Sequence, residues 1–170
     1  MLIADHMPFP KAAEALASQF GFTFVNGYAM DVNNQHSLFK RENATLMEHA
    51  ITQGMKENEA IHQVRSFMGQ AFQYPKEAKP LMVWGESALV KMPKKSWAFN
   101  WDTPAVDAAK YAQGATLEYH KGRIAVFGEA AMFTSQTDGK TNTASGLVSK
   151  GAEQNEQFLL NIMHWLSRTI

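Results

Sequence analysis

The chain opens on a short apolar run, MLIAD, which stops at a charged residue and gives way at once to HMPFP. Such a run suits a strand buried on both faces, as in a parallel sheet. Pro8 and Pro10 disfavour strand pairing and suit a loop or the first turn of a helix. In the KAAEALASQFG that follows, Ala13, Leu16, Ala17 and Phe20 recur at helical spacing, and Gly21 supplies a stop. FTFV is rich in strand formers. A strand–loop–helix–strand unit is the element of α/β folds, and it constrains this chain more than any other feature. A chain that starts on a core strand is read in two ways: the strand sits centrally and Met1 is the start, or a preceding strand and helix are missing, as βαβ units come in series.

Further along, Asn43 is placed to cap a short helix through Met47. The second half of AIHQVRSFMGQAFQYP reads as extended, and KPLMVWG is an apolar strand ended by Gly85. ALVKMPKKSWAFNW also reads as extended, with Trp97, Phe99 and Trp101 alternating on one strand face. A short helix is predicted over Pro104 to Tyr111. GATLEYHKGRIAVFGE reads as a hairpin whose arms meet at His120, Lys121 and Gly122. TDGKTNTASGLVSKG is a polar loop. EQNEQFLLNIMHWLSR is an amphipathic helix with a stripe of Phe158, Leu159, Ile162, Trp165 and Leu166. No repeat or linker divides the chain, so residues 1–170 are read as a single domain.

Composition removes several classes of function. Lys plus Arg and Asp plus Glu both count 16, and this balance lacks the basic excess of a general nucleic-acid binder. No run reaches the ~18 apolar residues of a membrane span. There is no cysteine, so disulfides, thiolate metal sites and a Cys nucleophile are excluded.

Four segments in order, LIADHMPFPKAAEALASQFGF, HAITQG, GATLEYHKGRIAVFGEAAMFTSQ and GAEQNEQFLLNIMHWLS, resemble a family of uncharacterised bacterial proteins. Its domain is similar to class I glutamine amidotransferases. The wider group includes domains of gliding-motility transporters and intraflagellar-transport proteins. The resemblance implies a flavodoxin-like α/β fold: a three-layer sandwich with a mainly parallel sheet, plus the hairpin. It also implies a soluble bacterial chain that has lost its N-terminal strand–helix unit, with a homodimer covering the exposed edge. Amidotransferase chemistry needs a Cys on the turn after a strand. Without one, the resemblance implies no glutaminase activity.

Ligands of open α/β sheets bind beyond the carboxyl ends of the strands. Two such ends carry polar residues: Asp5 and His6 after LIA, and Glu129 after IAVFG, followed by Ser135 and Gln136. If the two strands are neighbours, Asp5, His6 and Glu129 converge as an acid/base site for an unidentified small ligand or as a weak metal site. The competing reading makes Asp5 a cap, His6 a loop residue and Glu129 a carboxylate at a helix start. Ser87 in GESAL sits in a degraded G-x-S-x-G pattern. His36, His49, His62, His120 and His164 lack metal-ligand spacing, so neither metal nor cofactor is expected. His49 is expected to fix a loop. Lys91, Lys94 and Lys95 precede the aromatic stripe, which is read as core, as an interface or as a surface for sugars or single-stranded nucleic acid. Asn43-Ala44-Thr45 is a chance glycosylation sequon.

Three functions follow. The first is a non-catalytic ligand-binding or assembly domain. The second is a hydrolase or other enzyme using His6 with Asp5 or Glu129. The third is a carbohydrate-binding module using Trp97, Phe99 and Trp101, which requires those rings to be exposed.

Overall fold

A two-residue turn at His120 and Lys121 joins the two longest strands, which pair antiparallel from Gly114↔Phe127 to Tyr119↔Gly122. The structure is a computed structural model and describes residues 1–33, 37–137 and 142–170. Its strands begin with β1 (Leu2–Ile3), β2 (Thr23–Phe24), β3 (Tyr28–Asp31) and β4 (Leu38–Lys40). Next come β5 (Gln63–Arg65), β6 (Phe72–Gln73), β7 (Lys79–Val83), β8 (Ala88–Lys91) and β9 (Ala105–Asp107). The hairpin arms are β10 (Ala112–Tyr119) and β11 (Gly122–Phe127), and a last pair is β12 (Ser135–Thr137) and β13 (Ala144–Gly146). Helices are α1 (Phe9–Ser18), the single turn α2 (Ala50–Gln53) and α3 (Asn155–Leu166).

This architecture corrects the expected one. The protein is mainly β, not a three-layer α/β sandwich around a parallel sheet. The main sheet runs β1-β11-β10-β6-β2, with β7 also on β10. Its one parallel pair is β1 with β11, and every other strand pair among the described residues is antiparallel. Three small sheets, β3-β8-β9, β4-β5 and β12-β13, stand where helical layers were expected. The misreading has a physical cause. β10 is buried at every position from Ala112 to Leu117, so both of its faces are covered although its partners are antiparallel. Burial on both faces produces the apolar runs usually taken as the mark of a parallel sheet.

The core lies on both sides of this sheet. Val126 packs with Ala17, Phe22 and Phe72, while its neighbours Ala125 and Phe127 join Phe158, Ile162 and Trp165 of α3, as strand alternation requires. On α1, by contrast, Leu16 points outward and Ala17 is buried. Among the described residues no helix is long and apolar enough to cross a membrane.

Three local expectations also change. Asn43 caps no helix; its carboxamide oxygen accepts from the Thr45 amide and hydroxyl within a turn. The predicted helix at Pro104 to Tyr111 is strand β9. Trp97, Phe99 and Trp101 lie in an irregular loop between β8 and β9, not on a strand.

Candidate functional site

Because β1 and β11 run parallel, with Leu2↔Val126 and Ile3↔Phe127 in register, their carboxyl ends emerge side by side. Asp5 and Glu129 each follow two residues after a strand end. Asp5 Oδ2 accepts a hydrogen bond from the Ala130 amide at 3.3 Å, and Oδ1 accepts from the His6 amide at 2.6 Å. Glu129 sits behind this pair and is only 1% exposed. Its carboxylate accepts from the amides of Ala131 at 2.5 Å and Met132 at 2.9 Å, at the start of a 3₁₀ turn over Ala131–Phe133. The Ser66 hydroxyl approaches Oε2 at 3.5 Å and accepts in turn from Gln113 Nε2 at 2.9 Å. Burial, and then the Asp5 charge, push the Glu129 carboxyl up to about 7, against the pull of the backbone amides.

His6 is held by its ring. Nδ1 lies 2.8 Å from the Met7 carbonyl, which places the proton on Nδ1. Nε2 is 4.0 Å from Asp5 Oδ1, too long for a hydrogen bond. The imidazole stacks on Tyr28 at 4.8 Å and meets the edge of Trp97 at 4.5 Å. Of the three residues expected to converge, Asp5 lies near Glu129 while the His6 ring is turned to Met7, Tyr28 and Trp97, and each group is already engaged. Ser135 and Gln136 lie exposed in the β12–β13 ribbon, where Gln136 Nε2 donates to Thr134 Oγ1. Among the described residues no three His, Asp or Glu side chains are grouped to hold a metal ion.

The aromatic loop has the features of a presentation surface. Trp97 and Trp101 are 61% and 84% exposed, and Phe9 is 54% exposed beside His6. Their backbones are fastened from below. Fully buried Tyr28 uses its hydroxyl to accept from the Trp97 amide at 2.9 Å and to pair with Ser96 Oγ at 2.7 Å. Trp97 adopts a φ of 62°, rare for a bulky residue, and this hydrogen bond helps to hold it there. Buried Lys91 donates to the carbonyls of Trp101 at 2.8 Å and Thr103 at 3.2 Å. The alternation of Trp97, Phe99 and Trp101 does not mark a strand face here, because the segment is irregular. The positions that could have signalled an anchored loop, Tyr28 and Lys91, are distant in sequence or hidden within a strand.

Among the other candidates, Ser87 donates to Asp31 Oδ1 at 2.5 Å, and no histidine among the described residues hydrogen-bonds to it. His49 caps α2: Nδ1 accepts from the Ile51 amide at 3.1 Å, so the proton sits on Nε2, 3.3 Å from Thr116 Oγ1. Burial, then Lys79 and Arg123, lower its pKa to about 4. It lines a cleft of about 490 Å³ with Lys79, Glu118, Arg123 and Trp165. His36 lies outside the described residues.

Comparison with known proteins narrows the fold alone. No known protein family's profile matches the chain, and no curated protein is significantly similar to it. A solved structure, the mmIFT52 N-terminal domain, superposes with a TM-score of 0.57 at 14% identity over 91% of this chain. The chain spans 56% of that structure's length. The resemblance to an amidotransferase-like bacterial family is thereby corrected: the likeness found is to the mmIFT52 domain, and the strands pair as a mainly β protein.

Proposed function

We propose that this chain is a non-catalytic binding domain whose loop 92–104 receives a glycan. One observation carries the reading: Trp97 and Trp101 are exposed while their backbones are tied to buried Tyr28 and Lys91. Exposed aromatic groups on a soluble surface mark binding sites when they are grouped. Rigid rings lose little conformational entropy when they bind. Lys94, Lys95, Asn100 and Asp102 are exposed around them, so the surface alternates apolar faces with hydrogen-bonding groups. A sugar ring offers the same alternation, with C–H faces between hydroxyl edges. The acid/base reading is weaker, because Glu129 is sealed and the His6 ring is packed.

Native affinity electrophoresis tests this. Wild type, Trp97→Ala and Trp101→Ala are run through gels containing xylan, mannan, β-glucan or soluble chitin. Retardation by one of these, lost in both variants, is expected. Absence of retardation in all four, or retardation unchanged in both variants, overturns the reading.

A further inference from the structure

The cleft of about 490 Å³ beside His49 lies over one end of the main sheet. Strand register decides which side chains meet there. Thr116 stands opposite Lys79 on β7 and Ala125 on β11, and Glu118 stands opposite Arg123. Residues paired across strands share a face, and Thr116 and Glu118 are two apart on β10. All of them therefore lie on the face that α3 covers, where Ala125 packs with Phe158, Ile162 and Trp165. His49 and Trp165 line the cleft from the helices, with ring centroids 5.5 Å apart.

The charges in this cleft are sorted by place. Arg123 is fixed: Nη1 donates to the carbonyls of Trp165 at 2.6 Å and Ile170 at 2.7 Å, and Nε lies 3.7 Å from Glu118 Oε1. Lys79 forms no ion pair with Glu48, Glu77 or Glu118, although all three line the same cleft. The charges that act most on the His49 ring are Lys79 and then Arg123, ahead of Glu118, so the end beside that ring is positive. Glu48 and Glu77 are exposed and are not among the charges that move His49, so the negative end lies away from it. A ligand of one sign is repelled by one end, whereas a zwitterion is complementary to both. At roughly 30 Å³ per water the space holds up to about sixteen heavy atoms. We propose that this cleft binds a small zwitterion, a free α-amino acid or a dipeptide, with its carboxylate toward Lys79 and Arg123 and its ammonium toward Glu77. The site binds and does not transfer protons, because His49 Nδ1 is engaged by the Ile51 amide and Nε2 already carries a hydrogen.

The test compares four molecules on one skeleton. Alanine and alanyl-alanine carry both charges, N-acetylalanine only the carboxylate, and alaninamide only the ammonium. NMR titration follows the ring protons of His49, assigned from their loss in His49→Asn. Alanine or alanyl-alanine is expected to shift them saturably, and to bind about threefold or more tightly than either singly charged molecule. Whichever of the two binds more tightly sets the size of the ligand. Lys79→Gln and Glu77→Gln alter exposed side chains, so both variants should fold. Each should weaken the zwitterion by about threefold or more. Lys79→Gln should also abolish its advantage over alaninamide, and Glu77→Gln its advantage over N-acetylalanine. No saturable shift with either zwitterion, equal binding of the zwitterion and a singly charged analogue to wild type, or zwitterion binding unchanged in either variant overturns the proposal. The glycan reading of loop 92–104 stands or falls separately, because no residue of that loop lines this cleft.

Discussion

Asp5 accepts a hydrogen bond from the amide of Ala130, the residue immediately after buried Glu129, so the ends of two parallel strands are tied by one carboxylate while a second sits behind it. Burial, and then the nearby Asp5 carboxylate, raise the affinity of Glu129 for a proton.

Glu129 therefore makes stability fall as pH rises. Its folded pKa of about 7 lies above the ordinary 4.5, so between these values the folded chain holds a proton that the unfolded chain has released. The contribution is fully present below pH 4.5 and is lost as pH passes 7. Glu129→Gln is expected to remove a slope of at most roughly 1 kcal/mol per pH unit across that window. Urea unfolding of both proteins from pH 4.5 to 7.5 measures it, and parallel profiles would refute the assignment.

His49 works in the opposite direction. Its pKa falls from 6.5 to about 4 on folding, so the unfolded chain takes up the proton first as pH drops. Its contribution is present above pH 6.5 and is lost as pH falls toward 4. His49→Asn keeps a capping acceptor but no titration, and should flatten this acid loss. In wild type the two slopes oppose each other between pH 4.5 and 6.5. Each single variant should then expose the other's slope, which the same urea series would detect.

Tyr28→Phe removes the hydroxyl that accepts from the Trp97 amide and pairs with Ser96. A loss of about 1–2 kcal/mol in stability is expected. The specific effect is on the loop: trypsin should cut after Lys94 or Lys95 severalfold faster than in wild type under native conditions. Unchanged cleavage with lowered global stability would show that Tyr28 does not anchor the loop.

Gly69→Ala should be among the most damaging small substitutions. A Cβ there would lie 2.0 Å from the Gly128 carbonyl and 2.5 Å from Glu129 Cβ, so the backbone must move. Destabilisation of about 3 kcal/mol is expected from such overpacking. Gly122→Ala, whose Cβ would meet only the Tyr119 carbonyl at 3.4 Å, provides the mild comparison in thermal melts.

Much of this protein was local and therefore legible. The α3 stripe of Phe158, Ile162 and Trp165 is buried as its spacing required, and the ATLEY and RIAVF runs pair across their two-residue turn. Periodicity and turn chemistry act over a few residues, so one sequence suffices to read them. The adjacency of Asp5 and Glu129 was legible only as a condition, because it depended on β1 lying beside β11. What the sequence determined by itself was the buried stripe of α3, the hairpin, the absence of thiol chemistry and the balance of charge. Strand direction was decided by tertiary structure, since β10 is buried on both faces and its apolar run is the same for either orientation. So was the fate of the polar groups: Tyr28 and Lys91 became anchors, and the Trp84 indole N–H was buried without a partner among the described residues. Hydrogen bonds between residues far apart in the chain form only once packing brings them together, and no local pattern encodes that meeting.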